Sequence, residues 1–78
     1  MSEIEQQLNI LNAVLTKNPT DADALYQRGS LYMKLGNLAA AKSDFTASAN
    51  INPKGPGATA LTLVSDIIDF YHTDLYNP

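Results

Sequence analysis

His72 is the only histidine in the chain, and there is no cysteine. With only Asp69 and Asp74 close to it in sequence, it falls short of the three or four ligands a zinc site needs. It reads as a solvated surface residue. Asp66 and Asp69 stand three positions apart, on one face of a helix, as a carboxylate pair for acid–base work would. Nothing near them in sequence would raise either pKa, so they read as a water-facing acidic edge. Gly55-Pro56-Gly57 lacks the lysine and the preceding strand of a phosphate-cradling loop. No catalytic residue, metal site or cofactor is expected from this set, and the chain is not expected to be an enzyme.

Composition narrows the remaining classes. Seventy-eight residues, 45% of them apolar, make one small domain at roughly 100 to 200 residues per domain. A chain this short buries only about 60% of the surface its unfolded form exposes, so it needs dense helix packing or a partner. Five Lys and Arg stand against eight Asp and Glu, a net charge of −3. That balance lacks the basic footprint that nucleic acid or anionic lipid would attract, so neither is expected as a partner. The start, Met1-Ser2-Glu3-Ile4-Glu5, has no basic and apolar leader, and no apolar run reaches the ~18 residues a membrane span needs. A cytoplasmic location is expected.

Punctuation divides the chain into four helical pieces. Ser2 with Glu5 fits a capping box, and Ile4, Leu8, Leu11, Val14 and Leu15 recur at three- and four-residue spacing, predicting a helix over 3–17. Thr20 with Asp23 repeats the cap, and Leu25, Arg28, Gly29, Tyr32 and Leu35 predict a second helix over 21–35, ended by Gly36 in a left-handed conformation. Asn37 caps a third helix over 38–50, joined to the second by so short a loop that the two form an antiparallel hairpin. Gly55-Pro56-Gly57 turns the chain into a fourth helix over 57–71, with Leu61, Val64, Ile67, Ile68 and Tyr71. No segment alternates with period two, so no strand is expected.

One dipeptide occurs twice. Asn18-Pro19 and Asn52-Pro53 lie 34 residues apart, each between apolar helical runs, and proline disfavours a helical residue before it. Between them Leu25-x2-Arg28-Gly29-x2-Tyr32, then Ala41-x3-Phe45, then Pro53, resembles the tetratricopeptide repeat pattern W-x2-L-G-x2-Y, A-x3-F and P, with every spacing kept. Leu25 replaces the tryptophan, Arg28 the leucine, and Ser48 a small residue that is usually alanine.

The resemblance implies an all-α fold of stacked antiparallel hairpins, a short right-handed superhelix of about four helices in one domain, 1–78. A half-repeat helix spans 3–17, a complete repeat 20–53, and a capping helix 57–71, followed by a tail 72–78. The fourth helix matches a following repeat if two residues are inserted after Pro53, so that Leu61, Val64, Ser65 and Ile68 repeat Leu25, Arg28, Gly29 and Tyr32. Gly29 then marks a close helix approach, and Leu25, Gly29, Tyr32, Ala41, Phe45, Leu61, Val64 and Ile68 share one core. Arg28 is expected to pack its stem and send its guanidinium to water or to an acidic partner.

In this family the first helix of each pair lines a concave face that holds peptides. Carried over, the partner-binding residues are Tyr26, Gln27, Ser30, Met33 and Lys34 on the second helix and Leu63, Asp66 and Phe70 on the fourth. Members that clamp the carboxylate tail of heat-shock chaperones use lysine and asparagine where this chain has Tyr26 and Ser30, which argues against that ligand. The implied function is a non-catalytic scaffold binding a protein or peptide, or else a module that self-associates into a homo-oligomer. In the tail, Leu75 and Tyr76 either dock in the groove beside Phe70 and Met33 or pack under the fourth helix as a cap, or else the last three residues fray.

Overall fold

The computed structural model describes the backbone of residues 2–76 and the side chains of residues 2–70. Four helices follow in order, α1 (Glu3–Lys17), α2 (Ala22–Lys34), α3 (Leu38–Ile51) and α4 (Pro56–Tyr76), with no strand among the described residues. Each start has a local cause. The Glu5 N–H donates to Ser2 Oγ at 3.1 Å, and the Ala40 N–H to Asn37 Oδ1 at 3.2 Å, both as expected of N-caps. At α2 the cap is Asp21, whose carboxylate accepts from the Ala24 N–H at 3.0 Å, and not Thr20, so the helix starts at Ala22. Pro56 opens α4, where its fixed φ suits a helix and its missing N–H leaves nothing unsatisfied.

The α2–α3 hairpin closes through Gly36. Its φ of +79° lies in the left-handed region, the Gly36 N–H donates to the Met33 carbonyl, and the Asn37 N–H reaches back to the Tyr32 carbonyl at 2.9 Å. This pair of bonds is the Schellman arrangement.

Two apolar clusters, rather than the single core expected, hold the helices. Leu25 belongs with Leu15, Ala24, Leu11 and Ala47 between α1 and the hairpin. Ala41, Phe45 and Val64 form the second, packed by Tyr26, Tyr32, Met33, Leu38, Ala60, Leu61 and Ile68 from α2, α3 and α4. Phe45 and Val64 are fully buried at its centre. Gly29 sits against this second cluster, because a β-carbon there would come within 2.7 Å of the Phe45 ring.

α4 runs to Tyr76, five residues beyond the expected end at 71. The backbone of Leu75 and Tyr76 continues the helix and does not turn back toward α2. The side chains of His72, Leu75 and Tyr76, on which the tail expectations turned, lie outside the described residues.

Candidate functional site

The turn that separates α1 from α2 recurs between α3 and α4. Asn18 and Asn52 end their helices at nearly the same angles, φ −138° and ψ 81° against φ −133° and ψ 86°. Asn18 N–H donates to the Val14 carbonyl and Asn52 N–H to the Ser48 carbonyl, each at 2.8 Å. Asp21 and Gly55 then donate back to the carbonyls of Asn18 and Asn52. Every member of one turn stands 34 residues from its counterpart, and so do the helix starts Ala22 and Pro56. No insertion intervenes.

This corrects the two-residue shift. Counted from the shared turn, Leu63 and not Ser65 holds the place of Gly29. Val64, expected in the core from sequence, is buried against Ala41 and Phe45. Leu63 is 58% exposed and Phe70 64%.

The eight residues expected to bind a partner therefore do not share one surface. Tyr26, Gln27, Ser30 and Lys34 line a cleft of about 400 Å³ together with Leu31 of α2 and Gln7, Ile10 and Leu11 of α1. Met33 points the other way and packs half-buried into the Phe45 cluster. Tyr26 serves both sides, its ring centroid 5.9 Å from that of Phe45. Leu63, Asp66 and Phe70 are exposed on α4 and take no part in the cleft. Ile10, 64% exposed at the cleft wall, was missed by the sequence reading. The 34-residue period was the signal that could have found it.

That period gives the cleft its meaning. Ala41, Asp44, Phe45 and Ser48 are the buried stripe of α3, and Asp44 and Phe45 crowd Gly29 of α2. Thirty-four residues earlier stand Gln7, Ile10, Leu11 and Val14 of α1. There Gln7, Ile10 and Val14 are exposed, because no described helix lies on them as α2 lies on α3.

The polar groups nearby are structural. Arg28 donates from Nε and Nη2 to the Asp44 carboxylate at 2.8 and 2.7 Å, and from Nη1 to Asn12 Oδ1 at 3.0 Å. The hydrogen bond to Asp44 is the main reason its pKa lies above the ordinary value, against the opposing effect of burial. An acidic partner is what the stem-and-head expectation for Arg28 required. Ser48 Oγ donates to the Ala22 carbonyl at 2.8 Å, tying α3 to the start of α2. Among the described residues no buried polar side-chain atom lacks a partner, and no three metal-ligating side chains gather. No helix among them is long and apolar enough to cross a membrane.

A hairpin of two antiparallel helices, closed by a left-handed glycine, with a glycine in the first helix beneath an aromatic ring of the second, stands at residues 22–54. The tetratricopeptide repeat model matches those same residues. Over those residues the hairpin is similar to a tetratricopeptide repeat. Such repeats generally mediate protein–protein interaction and are typically non-catalytic scaffolds. No curated protein and no solved structure matches the chain significantly.

Proposed function

We propose that this chain is a non-catalytic protein-docking domain, and that its α1/α2 cleft takes up a helix of a partner protein. The partner class follows from the repeat. The observation supporting the location is the exposed stripe of Gln7, Ile10 and Val14, beside half-buried Leu11, one period before the buried stripe of α3. A helix is the occupant because the equivalent face of α3 is satisfied by one. Tyr26, Gln27, Ser30 and Lys34, all in the concave set expected from sequence, form the second wall. Apolar contact at Ile10 and Leu11 supplies the affinity, and the polar rim of Gln7, Gln27 and Lys34 orients the incoming helix.

Photocrosslinking tests this. A benzophenone side chain replacing Gln27, in the cells of origin, is expected to capture a protein that the same probe at Lys42, on the outer face of α3, does not. Adding Ile10→Glu should abolish the capture. Identical products from Gln27 and Lys42 would show that the cleft is not the docking site.

A further inference from the structure

α4 carries an exposed apolar stripe of its own. Leu63, Ile67 and Phe70 are exposed at 58, 36 and 64%, and their four- and three-residue spacing makes one apolar stripe on α4. In the register of the repeated turn Leu63 corresponds to Gly29, and Ile67 to Met33. Gly29 is where α2 meets Phe45 of α3. So α4 turns outward the face with which α2 grips α3, while α1 turns outward the face with which α3 answers.

We propose that copies of this chain associate head to tail, α4 of one copy lying in the α1/α2 cleft of the next in the register in which α2 lies on α3, at the wider spacing that Leu63 in the place of Gly29 requires. The inference rests on the cleft being a helix-docking site and names its occupant as a second copy.

Where Gly29 meets Phe45 inside the hairpin, the contact between copies pairs Leu63 with the half-buried Leu11, an apolar contact that holds the helices further apart than α2 and α3. Where Arg28 binds Asp44, it pairs Thr62 with Ile10, which buries no charge. Tyr32 of α2 and Ile68 of α4 pack in one cluster, and their equivalents across the interface are Asp66 of one copy and Lys34 of the next, which are opposite in charge. Glu3, Glu5 and Asp69 are all exposed and stay at the rim, where water screens them. Because the two faces differ, a pair of copies leaves one cleft and one stripe open, and growth continues to a ring or an open superhelix.

Sedimentation velocity on the full chain, from micromolar to millimolar, decides this with two variants. Ile10→Glu blocks the cleft and leaves the α4 stripe, whereas Leu63→Glu does the reverse. Both positions are exposed, so circular dichroism should stay at wild-type helicity. If either fails to fold, Val14→Glu or Phe70→Glu replaces it. The wild type is expected to gain mass with concentration beyond a dimer, each variant alone to remain a monomer, and their equimolar mixture to form a dimer and nothing larger. A wild type that is monomeric throughout overturns the proposal, as does a variant that still associates alone. A mixture that stays monomeric while the wild type stops at a dimer shows a two-fold contact instead. If the wild type is monomeric but the Gln27 probe captures a different protein, the cleft stands as a docking site and self-assembly does not. If the probe captures nothing specific either, both readings fall.

Discussion

Phe45 lies so close to Gly29 that a β-carbon built on the glycine would stand 2.7 Å from its ring. No real β-carbon tolerates that distance, so the α2–α3 spacing exists only because residue 29 has no side chain. Against alanine, glycine in mid-helix costs about 1 kcal/mol. The fold accepts this because it lets a fully buried ring lie against the α2 backbone.

Gly29→Ala is therefore expected to destabilise despite better helix propensity, with overpacking of about 1 to 3 kcal/mol exceeding the propensity gain. Thermal melting should show it as a fall of several degrees, at ~4–8 °C per kcal/mol in a domain of this size. Shrinking the ring with Phe45→Leu in the same chain should recover part of the loss relative to Phe45→Leu alone. Additive effects of the two changes would mean that the two residues are not in contact.

Arg28 and Asp44 form a two-pronged pair, and their exposures differ: the arginine side chain is 24% exposed and the aspartate 7%. Removing the arginine leaves a nearly buried carboxylate without its partner. Removing the aspartate leaves a guanidinium that still reaches Asn12 and water. Arg28→Ala is expected to cost more than Asp44→Ala, by about 1 kcal/mol once solvent screening is allowed for. The double change Arg28→Ala with Asp44→Ala should cost less than the sum of the single ones, since it strands no charge. Urea unfolding of the four proteins measures the difference, and equal costs for the two single alanine variants would contradict it.

Gly36 isolates a backbone effect, because a β-carbon there would meet nothing within 4 Å while φ is +79°. Gly36→Ala is expected to lose about 1 kcal/mol, and Gly36→Asn less, because asparagine visits the left-handed region more readily. Chemical denaturation should rank them glycine, asparagine, alanine from most to least stable. An alanine variant as stable as wild type would mean that the turn has another conformation.

The hairpin was legible because its signals are local or carry fixed spacing. Gly36 and Asn37 sit side by side at the turn, and Gly29, Ala41 and Phe45 keep the family distances. Register of α4 was not legible in the same way. Residues 60, 61, 63, 64, 67 and 68 are all apolar, so two stripes, Leu61-Val64-Ile68 and Leu63-Ile67-Phe70, both run at helical spacing. Similarity of side chains favoured aligning the first with α2 through an insertion, whereas the repeated Asn-Pro turn requires none. The same ambiguity separates Leu63, Asp66 and Phe70 of α4 from the cleft that Tyr26, Gln27, Ser30 and Lys34 line. Ile10 escaped notice because its meaning lies in what stands one period later, Asp44, a residue of opposite character.

Val64 and Leu63 are neighbours on α4 with opposite surroundings. Val64 is fully buried in the Phe45 cluster and Leu63 is 58% exposed. Val64→Ala removes two methyl groups from a packed site, a transfer loss of ~0.8 kcal/mol each plus a cavity term, so about 2 kcal/mol or more is expected. Leu63→Ala removes more atoms, yet on an exposed face it should stay within ~0.5 kcal/mol of wild type in dilute solution, where copies are apart. At high concentration the order of effects changes, because Leu63 then contributes to contact between copies and its loss lowers the apparent melting temperature relative to wild type. Melting curves of both variants at a few micromolar and near a millimolar separate these terms. A larger loss from Leu63→Ala than from Val64→Ala in dilute solution would mean that α4 packs on the hairpin through its other stripe.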